Sequence, residues 1–190
     1  MHTLEPFWKW RDYYTAEEDE HSPFYGREYS EFEFSDHIYN YYIHPQWDYF
    51  GSETLYLKLL YVNYKSGAAI IEFIGEWNDC VRNDIMFLKR DFIEILLQNG
   101  ISKFVLIGEN ILDFFFDTNE YYEEWHEDIK EKDGWIIAVN FREHVIEEML
   151  QANIHHYVHI NERYNDINWR NYKPHHLIEY LDDLLIKVIS

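Results

Sequence analysis

LYLKLLYV at residues 55–62, KSG at 65–67 and AAIIEFI at 68–74 read as two strands joined by a short polar turn. Both runs are rich in residues that pack well on a pleated surface, and Gly67 suits a tight connection, so the pair is expected to form a β-hairpin. A helix is predicted directly afterwards. Asn78 or Asp79 can cap its start, Val81, Ile85, Leu88, Phe92, Ile95 and Leu96 recur at helical spacing, and Asn99-Gly100 stops it. KFVLI at 103–107 is then a short apolar run of the buried-strand type.

Alternation continues toward the C-terminus. Residues 111–116 are apolar without clean periodicity, and residues 119–132 predict a very acidic helix. WIIAV at 135–139 reads as a strand, and Val145, Ile146, Met149 and Leu150 mark an amphipathic helix. His155 to Ile160 reads as a further strand, and Pro174 opens a helix with Leu177, Leu181, Leu184, Leu185 and Val188 on one face. The fold class expected is α/β: a mixed, largely parallel sheet with helices, begun by an antiparallel hairpin and continued by right-handed crossovers. This order over residues 55–190 resembles the bacterial anti-sigma-factor-antagonist (STAS) domains. Members of that class that act as phospho-switches carry Ser or Thr at the start of the helix after the central strand. Gly108-Glu109-Asn110 occupies that place here, so the switch does not carry over, and the resemblance speaks to fold rather than function.

The chain before residue 51 has another character. It holds 11 acidic and 3 basic side chains, many aromatics, and only Leu4, Ile38 and Ile43 as branched aliphatics. Such a segment lacks an aliphatic core of its own. It is expected to pack on the α/β domain of residues 51–190, or on another chain, with Phe7, Trp8, Trp10, Phe24, Phe32 and Phe34 as anchors. Alternation in Glu31-Phe32-Glu33-Phe34 and in residues 37–41 suggests one or two strands there.

The composition narrows the classes of function. A formal net charge of −20 repels phosphate backbones and anionic membranes, so neither nucleic acid nor a membrane is expected as a partner. The same field attracts cations or a basic protein, although it also keeps an aromatic-rich surface in solution. Tyr, Phe and Trp make up 19% of the chain, a proportion that favours interfaces, so a protein partner or a homodimer is the expected kind of contact. The N-terminus lacks the features of a signal peptide, no apolar run is long enough to span a bilayer, and one cysteine, Cys80, excludes an internal disulfide. The expected location is the cytoplasm.

Phosphate-binding glycine loops, a nucleophile elbow, a His-Glu-x-x-His helix and an EF-hand loop are all missing from the sequence. Candidate ligand residues therefore come from fold logic, since open α/β sheets bind ligands beyond the carboxyl ends of their strands. Those ends supply Glu76, Asn78, Glu109, Asn110, Asn140, Arg142, Asn161 and Arg163. Asn and Asp at such places also cap helices and make turns in any similar fold. Glu76 and Glu109 are the candidate acid–base pair if the chain is an enzyme.

Three further features carry structural readings. His155 and His159 would lie on one strand face but about 13 Å apart, too far to share a metal. Cys80 sits where a helix dipole would lower a thiol pKa, yet no base accompanies it. Asp113 to Asp133, with 9 acidic and 2 basic residues, reads as a solvated helix face. No cofactor, metal or catalytic residue is assigned. A non-enzymatic protein-binding or regulatory module is the leading expectation, and a small-ligand protein or enzyme working at the strand ends is the alternative.

Overall fold

Alternation in residues 31–41 yields strands only in its second half. His37–Ile38 (β1) pairs antiparallel with Tyr41–Tyr42 (β2), whereas Glu31 to Phe34 is irregular. Ile38 explains the difference, because it is buried and gives β1 a packed face, while Phe32 and Phe34 have none. This computed structural model describes residues 4–34 and 36–189. Met1 to Thr3, at the N-terminus read above, and the Val188 side chain lie outside the described residues.

The deciding hairpin forms as expected, from Leu55–Asn63 (β3) and Ala68–Asn78 (β4). The helical stretch that follows is interrupted. Asp79–Arg82 (α1) is capped by the Asn78 side chain and ends at Asn83, whose φ of 55° is left-handed. The chain then runs through Asp84–Phe87 (α2), a π-helical segment Leu88–Ile93 and Glu94–Gln98 (α3). Ile85, Leu88, Phe92 and Leu96 are buried as the spacing implies, but Val81 stands on the exposed side of the break.

Lys103–Phe115 (β5) corrects the shorter strand expected at 103–107. It pairs parallel with β4 along nearly its whole length, as far as Asn78 opposite Phe115. Glu120–Lys130 (α4), Trp135–Val139 (β6), Glu143–Gln151 (α5) and Pro174–Ile189 (α6) complete the regular elements. The sheet order is β3-β4-β5-β6, antiparallel at the first pair and parallel thereafter. The expected strand at 155–160 is replaced by a 3₁₀ turn at Ile154–His156 and a single parallel bridge from His159 to Ile137.

Period-two alternation divides the core between the two faces of the sheet. Leu57, Ile71, Phe73, Phe104, Leu106 and Ile136 face one way and pack with Leu88, Phe92, Trp125, Val145 and Met149. Ile70, Val105, Ile107, Ile137 and Val139 face the other way and pack with Leu177, Leu181 and Trp169. The N-terminal segment contributes to both cores, with Phe24 on the first face and Trp10 on the second. Of its six expected anchors, Trp10 and Phe24 are buried and Phe7 is partly so, while Trp8, Phe32 and Phe34 are exposed. Ile38, Ile43, Trp47 and Tyr56 form a third, small cluster under β1 and β2.

Candidate functional site

The residues expected at the strand ends separate into internal networks and one cavity. Glu109 lies within β5 and serves as the hub of a network. Its Oε1 accepts from Asn140 Nδ2 (2.9 Å), Trp169 Nε1 (2.8 Å) and Arg170 Nη1 (3.1 Å), and its Oε2 pairs with Arg170 Nη2 at 2.7 Å. Burial pushes this carboxyl up, but the bonds from Arg170, Asn140 and Trp169 outweigh it and hold the group below its ordinary value. Asn140, left-handed at φ 54°, also bonds the Ile167 backbone through both amide atoms, at 2.8 and 3.0 Å. The network therefore fixes the 167–170 loop onto the sheet. An anion so fully engaged is poorly placed to accept a substrate proton.

Arg170 continues toward Glu72, lying 3.8 Å from its Oε1, while Phe7 N donates to Oε2 at 2.9 Å. Glu72 is 1% exposed, and burial pushes its carboxyl up to about 7 against the opposing pull of the Phe7 N–H and Arg170. The Phe7, Trp10 and Trp169 rings pack edge to face with centroids 4.9–5.4 Å apart, and Trp10 Nε1 donates to Tyr172 O at 3.0 Å. These contacts fasten the start of the chain to the second face of the sheet.

Glu76 and Asn78 belong to a second network. Glu76 accepts from the Tyr39 hydroxyl and from Asn78 Nδ2 (2.9 Å). Asn78 Oδ1 accepts from Val81 N at 2.9 Å, and Asn78 N donates to Asp84 Oδ2 at 2.7 Å. Beside them Asp79 accepts from Trp77 Nε1 (3.0 Å), Ile85 N (2.9 Å) and the Tyr122 hydroxyl (2.7 Å). Burial pushes Asp79 up to about 7, with the Tyr122 and Ile85 bonds opposing. These carboxylates hold the turn from β4 through α1 into α2.

A cavity of about 180 Å³ lies between β1–β2 and the strands β4 and β5. Leu4, Ile38, Ile43, Ile74 and Leu112 give it apolar walls, Tyr41 and Tyr42 flank it, and Asn110 and Arg142 are its polar lining. Gly75 is required here. Its φ is +121°, and a Cβ at this position would meet Thr54 O at 2.1 Å and Ile38 Cδ1 at 2.6 Å. Arg142 spends only Nε, which donates to Glu109 O at 3.1 Å, and it pairs with no carboxylate among the described residues. Of the eight expected residues, then, Asn110 and Arg142 meet at one cavity. Asn161 instead caps a 3₁₀ turn, accepting from Arg163 N at 3.1 Å, and Arg163 lines a separate surface groove with Tyr172 and Tyr180.

Other expected features take structural places. Cys80 is exposed and donates to Phe116 O at 2.6 Å. Partial burial, then Asp117 and Asp79, push its thiol up, opposite to the shift expected from a helix start. No group of three or more His, Cys, Asp or Glu side chains among the described residues is placed to hold a metal ion. The acidic α4 is partly tied down, because Lys89, 1% exposed, lies 3.0 Å from Asp128 and 3.2 Å from Glu124. Sequence reasoning missed Arg170, Tyr41, Tyr42 and Glu72. Only Glu72 carried a signal, as a lone charge inside the apolar run AAIIEFI.

A surface feature accompanies the cavity. Ten of the sixteen exposed large apolar side chains among the described residues fall in the first 49 positions. Phe32 is 89% exposed and Tyr39 60%, and Phe34, Tyr41, Tyr42 and Tyr49 are exposed with them. Glu31, Glu33 and Asp36 lie among these aromatics and are exposed too. No family model matches the chain, and no curated protein matches it in sequence. No helix among the described residues is long and apolar enough to cross a membrane.

Proposed function

We propose that the chain is a non-enzymatic binding module of the bacterial cytoplasm that recognises a basic protein segment through the aromatic, acidic face of residues 31–49. The observation that carries this reading is the exposure of Phe32, Phe34, Tyr39, Tyr41, Tyr42 and Tyr49 together within residues 31–49. Exposed Tyr and Phe offer apolar area and ring faces for Lys or Arg, and the carboxylates between them add charge complementarity. The net charge of −20 favours such a partner over a phosphate backbone. Engagement of Glu76 and Glu109 in internal networks weighs against their use as an acid–base pair. The order of elements from β3 onward supports a likeness to anti-sigma-factor antagonists, themselves binding modules, although position 155–160 supplies a bridge where that order needs a strand.

Deleting residues 1–50 would test folding rather than recognition, because Trp10, Phe24, Ile43 and Trp47 are buried. The test is a selection of displayed random peptides against the full chain, repeated with a Phe32→Ser, Phe34→Ser, Tyr41→Ser variant. Enrichment of basic peptides with an apolar anchor, lost in the variant, is expected. Enrichment that survives the three substitutions, or that lacks a basic bias, would count against the reading. A small ligand in the cavity is the second reading, favoured by the meeting of Asn110 and Arg142 there.

A further inference from the structure

We infer that the cavity between β1–β2 and β4–β5 binds a small organic anion: an apolar body of about ten non-hydrogen atoms carrying one carboxylate, which Arg142 and Asn110 receive. This inference is independent of the docking of a basic segment on the aromatic face. The two sites meet at Tyr41 and Tyr42, but the cavity takes the opposite ligand charge and its polar residues, Asn110 and Arg142, lie outside the aromatic face.

Size sets the body of the ligand. A closed apolar cavity of roughly 150 Å³ holds a benzene ring, so about 180 Å³ accommodates a ring or branched chain with a small head group. Leu4, Ile38, Ile43, Ile74 and Leu112 offer that body an apolar surface and no hydrogen-bonding side chain. The narrow fit is built by the backbone, since Gly75 lets Ile38 approach β4 more closely than any other residue would allow.

Charge sets the head. The chain has 36 acidic and 16 basic side chains, and several of its arginines are engaged: Arg27 with Asp48, Arg82 with Glu53, Arg90 with Glu94 and Glu124, and Arg170 with Glu109. Arg142 instead anchors Nε on a backbone carbonyl, which fixes the plane of the guanidinium and leaves Nη1 and Nη2 free of carboxylates among the described residues. That is the half of the fork suited to a bidentate carboxylate. Asn110 adds an amide able to donate to the same head group, and the Tyr41 and Tyr42 rings flank the apolar body.

The test is an amide-resolved NMR titration of the full chain with phenylacetate, using phenylacetamide and phenethylamine as neutral and cationic matches. Phenylacetate is expected to bind, shifting the signals of Gly75, Asn110, Leu112 and Arg142, and to bind roughly tenfold more tightly than either analogue, the order of advantage of a charge-assisted pair. Arg142→Gln is expected to bring phenylacetate down to the level of the amide. A Leu112→Trp variant, which fills the cavity, is expected to abolish binding of all three, so the inference stays testable if Arg142→Gln disturbs the fold. Equal binding of the three probes would overturn the assignment of an anionic head. Shifts confined to other regions, or no saturation at millimolar phenylacetate, would overturn the site itself. Loss of basic-peptide binding in a Phe32→Ser, Phe34→Ser variant, whose two positions do not line the cavity, with phenylacetate binding intact, would separate this inference from the proposed function.

Discussion

Replacing Glu72 by Gln should flatten the dependence of stability on pH between about 4.5 and 7. In that window the folded chain keeps a proton on Glu72 that the unfolded chain has released, so raising the pH favours unfolding. The contribution of the neutral acid is complete below the unfolded value and lost as the pH rises through the folded one. The rise from 4.5 to about 7 corresponds to on the order of 3 kcal/mol, at about 1.4 kcal/mol for each tenfold change in proton affinity. Glutamine keeps a carbonyl oxygen for the Phe7 N–H, so the tether of the N-terminal segment survives. It loses only the attraction of Arg170 across 3.8 Å. Urea titrations followed by tryptophan fluorescence at about pH 5 and about pH 8 supply the assay. The difference in unfolding free energy between parent and variant should change by a few kcal/mol between those conditions, in favour of the variant at the higher pH. Other titrating groups, Asp79 among them, are common to both proteins and cancel. A difference that stays constant within about 0.5 kcal/mol would refute the placement of Glu72 as a buried, largely desolvated acid.

Asp79→Asn should flatten a second part of the profile, between about 3.8 and 7, and the two effects should add, which a double variant checks. Gly75→Ala should destabilise by more than about 3 kcal/mol in urea titration, because its Cβ would meet Thr54 O at 2.1 Å and the left-handed φ adds strain. Trp10→Ala should cost about 3–5 kcal/mol, since it empties a buried site and removes the bond to Tyr172 O. Phe32→Ser, at a side chain 89% exposed, should leave the thermal midpoint unchanged while weakening peptide binding.

Much of the fold was legible because its signals are local. Gly67 closed the hairpin, the Asn78 cap started the helical stretch, and Asn99-Gly100 ended it. The end of β5 was not legible, since Gly108-Glu109-Asn110 has the composition of a loop. Glu109 is held inside the sheet by Trp169 and Arg170, sixty residues away, and the Phe141 ring lies where a side chain at 108 would stand. His155 to Ile160 shows the reverse error. Its alternation suits a strand, but after the left-handed Asn153 the chain turns and only His159 reaches β6. The candidate site was half legible. Arg142 stands just past the end of β6, where the strand-end rule looks, but Asn110 lies inside β5 opposite Ile74 and is picked out only because 103–107 alone reads as a strand. The cavity walls come from Ile38, Tyr41 and Tyr42 of a segment whose position no local pattern encodes.

Hydrogen–deuterium exchange of the full chain, with and without a basic peptide selected against it, tests the central claim most directly. The account predicts slowed exchange at the backbone amides of residues 31–49, with the network around Glu109 unchanged. Slowing confined to the groove of Arg163, Tyr172 and Tyr180, or to α4, would contradict it.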